Sequence, residues 1–253
     1  MMDNLPAPFT PDIATEIDVL ARRYRRANGP VIALVNRLGG SLESQMSMIP
    51  AAMRARLEGV VAQALDASYG IAGQGARLPD MGARGPMMAA MASGAAGGAG
   101  GLVTSFAELP VTITVILHAI RREAAAAGYD PDTPWVRAEC LRVFGAGSPL
   151  AQDDGINTSF LSARLTITGP ALQKIIATVA PKLAAALGQK VMAQAVPVIG
   201  AVAGAALNAA FVSYYAEIAR IRFALFRLSE THGVEPVLAA FAKAVEPPRI
   251  TKA

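Results

Sequence analysis

Few side chains in this sequence could carry chemistry, and their spacing excludes most of the usual kinds. The histidines are His118 and His232, and the single cysteine is Cys140. They lie far apart and in no ligand spacing, so a metal site, which needs several converging N, O or S donors, is not expected. His118 sits beside Leu117 and Ile120 in an apolar run, where a hydrogen-bonded core histidine is expected. His232 lies in Glu230-Thr231-His232-Gly233, which reads as a helix end. No Gly-x-Ser-x-Gly elbow occurs and no histidine is near Cys140 in sequence, so Cys140 reads as a buried structural thiol. The run GAAGGAGG at residues 94–101 has neither a Walker Lys-Ser ending nor a Gly-x-Gly-x-x-Gly frame, which removes the phosphate-cradling argument. Asp130 with Asp132, and Asp153 with Asp154, fall in predicted turns and read as solvated turn residues.

Three polar residues remain in largely apolar surroundings: Glu108, Asn208 and Tyr215. They could line a pocket for a lipid or small molecule. Alternatively Glu108 and Asn208 cap or bridge helices, since a buried polar group needs a partner. A second group, Arg22, Arg23, Arg25 and Arg26, ends a predicted helix, where cations complement the carbonyl end of the dipole. The same cluster could meet anionic lipid or an acidic partner.

The elements that must position these residues are helical. The chain has 253 residues, 53% hydrophobic, 17% charged and only 6% aromatic. A core rich in Ala, Gly and Val implies closely spaced helices more than a sheet sandwich. The expected fold class is therefore all-α, a compact multi-helix domain over residues 10–246 with tails at 1–9 and 247–253. Net charge is +4 but basic residues are dispersed, so no nucleic-acid partner is expected. One cysteine fits a reducing compartment, and the opening MMDNLPAPFTPD lacks the basic and apolar regions of a signal peptide, so the expected location is cytoplasmic.

Thr10-Pro11-Asp12 opens a first helix with Ile13, Ile17, Leu20 and Tyr24 on one face, ending at Asn28-Gly29. An apolar run at 30–38 and a connection at 41–50 precede a helix at about 51–69, whose inward set is Met53, Leu57, Val60 or Val61, Ala64 and Leu65. Residues 70–101 are dominated by Gly, Ala and Met, with no charge from 85 to 107, which reads as a flexible or tightly packed connector because glycine costs a helix about 1 kcal/mol relative to alanine. The alternative is a lipid-sensitive hairpin partnered with residues 191–216. Glu108-Leu109-Pro110 reads as the start of the next helix, which stops at Gly128. A short helix at 135–144 and one at 170–187 follow, with residues 159–168 helical or irregular between them and Gly188 as a separator. Val234–Val245 is the last helix.

Residues 190–228 are the stretch around which the chain is organised. Within it, 191–216 are uncharged and long enough to cross a bilayer. Gln194, Pro197, Asn208 and the many alanines argue against a span. A buried hairpin or kinked helix is expected, with Gly200 and Gly204 four apart so that another backbone can come close.

Two segments carry a family resemblance: ELPVTITVILHAIRREAAAAGYDPDTPWVRAECLRVFGAGSP and AVPVIGAVAGAALNAAFVSYYAEIARIRF. They resemble the EcsC family, named for a component encoded beside an ABC transporter in Gram-positive bacteria. The resemblance covers about residues 15–245 and carries over Pro110, Pro197, Gly200, Gly204, Asn208 and Phe211, with Glu108 where the family usually has aspartate. It departs at Arg222, where the family's histidine is expected. The resemblance implies a helical cytoplasmic protein linked to transport or the membrane surface, and no reaction. The leading expectation is a non-enzymatic factor, without cofactor, peripheral on the inner membrane face or on a membrane transport complex. The rival is an enzyme or binding protein with a lipid or small-molecule pocket near Glu108 and Asn208, and a purely soluble scaffold is the third reading.

Overall fold

A computed structural model describes residues 13–27, 51–73, 85–99, 101–146, 169–194 and 200–245. These form eight α-helices and one short 3-10 turn, with no strand among the described residues. The helices are α1 (Ile13–Arg26), α2 (Ala51–Gly73), α3 (Gly85–Ala99), α4 (Gly101–Ala126), α5 (Pro134–Val143), α6 (Gly169–Gln194), α7 (Gly200–His232) and α8 (Val234–Val245). The all-α class expected from composition is the class observed. The predicted elements at 30–50 and 159–168, the cap at Thr10-Pro11-Asp12, and Pro197 lie outside the described residues.

Helix α7 is the central element: α3, α4, α8, α1, α5 and α6 all touch it. Its buried residues Phe211, Tyr215, Ile218, Ile221, Phe223 and Leu225 recur at helical spacings around most of the helix, as a helix enclosed by neighbours requires. In α1, Ile17 and Leu20 are buried with Ile13 and Tyr24 packed against the core, and Tyr24 meets Phe241 of α8 edge-on. In α2, Leu57, Val61, Ala64 and Leu65 face inward.

Three expectations change. Residues 85–99 are not a connector but helix α3, packed chiefly on α7 and on α4. The glycines that weaken this helix intrinsically are what seat it: a Cβ at Gly94 would collide with the Gly204 carbonyl oxygen and lie 2.7 Å from Asn208 Nδ2. Close backbone contact recovers what propensity loses. The small residue at Gly204 therefore admits a neighbouring backbone, as its spacing suggested, and the neighbour is α3.

Glu108-Leu109-Pro110 does not begin a helix, because α4 runs from Gly101 with Pro110 inside it. Proline cannot donate to the preceding turn, but Leu109, Thr112, Ile113 and Ile116 are all fully buried directly beside it. Burial of that face outweighs the lost hydrogen bond. Gly188 likewise does not separate two elements: α6 passes through it, with Leu187 and Lys190 fully buried on either side.

The end of α4 is as the sequence reads. Gly128 takes φ +92°, and Tyr129 N donates to Ala124 O at 3.1 Å, closing the helix with a glycine in the left-handed region. Asp130 then accepts from the Asp132 backbone N at 2.9 Å, and Asp132 pairs with Arg121, so these two acids are turn and surface groups.

The Gly94 contact can be tested against an open glycine. Gly94→Ala is expected to lose about 1–3 kcal/mol through forced backbone movement. Gly59→Ala, on an exposed face of α2 with nothing within 4 Å of the new Cβ, is expected to gain roughly 1 kcal/mol. Urea unfolding of both variants measures this, and equal stability of Gly94→Ala and the parent would contradict the close approach.

Candidate functional site: a buried polar cluster and two exposed faces

Helices α3, α4, α6 and α7 converge on Glu108. One oxygen, Oε1, accepts from Thr112 Oγ1 at 2.9 Å, from Lys190 Nζ at 3.0 Å, from Ser93 Oγ at 3.4 Å and from Asn208 Nδ2. Asn208 Nδ2 also donates to the Ala90 carbonyl at 2.8 Å and to Ser93 Oγ at 3.1 Å. These acceptors fix which end of the amide is nitrogen, because a flipped Asn208 would turn its oxygen toward a carbonyl and a carboxylate. Thr112 stands one helical turn from Glu108, so its hydroxyl reaches the carboxylate without any backbone adjustment. The cluster thus joins α3 to α7 through Ala90, Ser93 and Asn208, and α4 to α6 through Glu108 and Lys190.

Lys190 is fully buried. Burial pushes its ammonium below the ordinary lysine value, and the Glu108 carboxylate beside it only partly opposes that shift. On the same cluster, Glu108 Oε2 and Asn208 Oδ1 are buried acceptors with no partner among the described residues. The carboxylate is therefore strongly one-sided, with its donors gathered on Oε1. Buried and paired in this way, its evident physical role is to hold four helices in register.

Of the expected site residues, the structure brings Glu108 and Asn208 into contact. Tyr215 stands two turns beyond Asn208 on α7, is fully buried, and packs its ring against Phe144, Phe211 and Tyr214. Its ring belongs to that aromatic cluster. Lys190, Thr112 and Ser93 were not singled out from the sequence. Lys190 had a usable signal, since Ile176, Val179, Leu183 and Leu187 place it on the inward stripe of α6.

A second buried ion pair lies on the opposite part of α7. Arg222 Nη2 donates to Glu139 Oε1, and Arg142 Nη1 donates to Glu139 Oε2 at 3.2 Å. The arginine at the expected histidine position thus ties α7 to α5. Adjacent Cys140 is fully buried, and burial pushes its thiol up to about 12, with Glu139 adding to the rise and Arg121 and Arg222 opposing it. An unreactive core thiol follows. His118 is only half-buried, and His232 is exposed at the end of α7. Among the described residues no group of three or more His, Cys, Asp or Glu side chains could hold a metal ion.

Two exposed faces stand out. On α3, Met87 is 40%, Met88 63% and Met91 38% exposed, and Val111 on α4 is 51% exposed. Ser93 of α3 contacts Glu108 of α4, so the two helices pack against each other there. The other face is the end of α1, where Arg22, Arg23, Arg25 and Arg26 are all exposed. Arg23 pairs with Glu217 at 2.6 Å, and Arg25 donates to the Ala244 carbonyl at 2.6 Å. No helix among the described residues is long and apolar enough to cross a membrane.

A family model described as the EcsC protein family matches residues 82–228. The matched range holds Glu108, Lys190, Asn208 and Gly204, and it stops short of the wider resemblance read from sequence. No curated protein and no solved structure matches the chain.

Two measurements bear on the buried groups. Lys190→Met strands a buried carboxylate and is expected to cost about 3–5 kcal/mol, whereas Glu108→Leu with Lys190→Met together should cost far less than the sum. Additive losses in urea unfolding would contradict a coupled pair. Cys140 should resist a maleimide at pH 8 until the chain is unfolded. Because its folded value is raised from 9.0 to about 12, its contribution to stability is complete below 9.0 and is lost as pH rises toward about 12. Cys140→Ala should remove that part of the alkaline slope, and an unchanged slope would count against it.

Proposed function

The chain belongs to the EcsC protein family, and on that premise we propose that it is a non-enzymatic helical factor that docks peripherally on the cytoplasmic face of a membrane. One observation carries this reading. The outer face of α3 presents Met87, Met88 and Met91, in a segment, residues 85–107, that contains no charge. Exposed apolar side chains scattered singly need no explanation, but three methionines within two turns of a helix make a local apolar surface. Methionine is flexible and polarizable, so such a face adapts to an irregular apolar partner such as the acyl boundary of a bilayer. The lack of a membrane-crossing helix among the described residues fits docking on the surface better than insertion.

A second reading, a ligand pocket beside Glu108 and Asn208, is supported by the two unpartnered acceptors Glu108 Oε2 and Asn208 Oδ1. A ligand there would need to donate hydrogen bonds to both. The near-complete burial of Lys190 and Glu108 favours a structural role for these groups instead.

Flotation with phosphatidylcholine vesicles tests the main reading. Serine at Met87, Met88 and Met91 removes roughly 1 kcal/mol of apolar burial per side chain, so partitioning should fall on the order of a hundredfold. A parent protein that never floats, or a triple variant that floats as well as the parent, would contradict docking through α3.

A further inference from the structure

A cleft of about 560 Å³ lies between α1 and α7, lined by Val19, Arg23, Arg26, Ala27, Ser213 and Glu217. We propose that this cleft binds the phosphate of an anionic phospholipid headgroup, with Arg26 as its principal cation. The proposal rests on the membrane-docking reading above and gives it a chemical partner.

The spacing of Val19, Arg23, Arg26 and Ala27 puts them on one stripe of α1, so the stripe offers an apolar beginning and a cationic end. Val19 is 41% exposed. Of the cations, Arg23 is held by Glu217, and Arg25 is turned to the Ala244 carbonyl of α8. Among the described lining residues that leaves Arg26 as the remaining cation, with Arg22 exposed beside it on α1. Glu217, the acid in the lining, does not cancel them, because Arg220 Nη1 donates to its other oxygen at 2.8 Å while Arg23 holds the first. Glu123 in turn takes two bonds from Arg220, at 2.8 Å each, so the surrounding network is already balanced without Arg22, Arg25 and Arg26.

The acid on the same stripe, Glu16, stands ten residues before Arg26, about 15 Å along the helix. The carbonyl end of α1 carries about half a negative charge, which the guanidinium groups of Arg22, Arg25 and Arg26 outweigh several times over. A guanidinium recognises a phosphate oxygen pair through two parallel N–H donors, and exposed Ser213 in the lining offers a hydroxyl to a third oxygen. Val19 and Ala27 fit the glycerol and first acyl carbons beside such a headgroup. A free inorganic phosphate would leave that apolar part of the lining unused, which is why a lipid is the assigned ligand.

The test uses the full chain with vesicles of phosphatidylcholine alone, vesicles mixed with phosphatidylglycerol, and soluble glycerol phosphate. Phosphatidylglycerol, which lacks the choline cation that offsets the phosphate of phosphatidylcholine, should strengthen binding, and Arg26→Ala should weaken binding to the mixed vesicles about fivefold and more than it weakens binding to phosphatidylcholine. Arg56→Ala, which removes an exposed charge on α2, should change neither. If Arg26→Ala behaves like Arg56→Ala, the cleft is not the site. If glycerol phosphate binds in an Arg26-dependent way and mixed vesicles do not, the ligand is a soluble phosphate ester and the lipid assignment is overturned. Loss of phosphatidylcholine binding in the methionine variant, with the phosphatidylglycerol gain intact, supports both surfaces separately. An Arg26-dependent gain with no methionine effect supports the cleft and overturns the methionine reading alone.

Discussion

Helix α3 rests on α7 almost backbone to backbone, because Gly94 presents no side chain to the Gly204 carbonyl. Most of the surrounding architecture depends on that approach. A helix of Gly, Ala and Met has little intrinsic stability in water, and among its described side chains Ala90 is the buried hydrophobic one. What holds it is contact distance and polar pairing. With α3 this close, Asn208 can reach both the Ala90 carbonyl and Ser93, and Glu108 can complete the group from α4. The arrangement then requires a cation inside the molecule, which Lys190 supplies from α6. Such a pair adds little net stability once desolvation is counted, but a wrong register would leave both charges buried and unmatched. The cluster therefore specifies one packing of four helices.

How much of this could be read in the sequence follows from which forces are local. The inward faces of α1 and α2, the glycine stop at Gly128 and the small-residue spacing around Gly204 are patterns within one element, and they appear where expected. Helix α3 was not legible because its glycines are unfavourable locally and favourable only against α7. Pro110 was misleading for a related reason: proline usually opens a helix, yet burial of Leu109 and Ile113 carries α4 through it. Glu108 and Asn208 stood out as polar residues in apolar surroundings, and they do meet. Lys190 was hidden by its position beside a long uncharged interval, where it looked like a flank when it is part of the core. Tyr215 shares a face of α7 with Asn208, but ring packing, which no spacing rule specifies, accounts for its position.

The same packing leaves two surfaces with different chemistry. The inward side of α3 is consumed by glycine contact and polar pairing, so its methionines are left outside. The end of α1 carries four arginines, two of them engaged by the protein itself. A charge-free apolar face and a separate cationic cleft match the two components of peripheral membrane binding, apolar burial and attraction to anionic headgroups. Membership of the EcsC family gives the fold its relatives without assigning a reaction.

Helix α3 is fixed inwardly by the Glu108 cluster, and in the proposed function it meets lipid outwardly through its methionines. Oxidative footprinting of the full chain, free and bound to vesicles, tests it most directly by reading sulfoxide formation residue by residue. Met87, Met88 and Met91 are expected to oxidise readily in the free protein and to be shielded together when vesicles are bound. Equal oxidation of these three methionines in the free and vesicle-bound protein would contradict it.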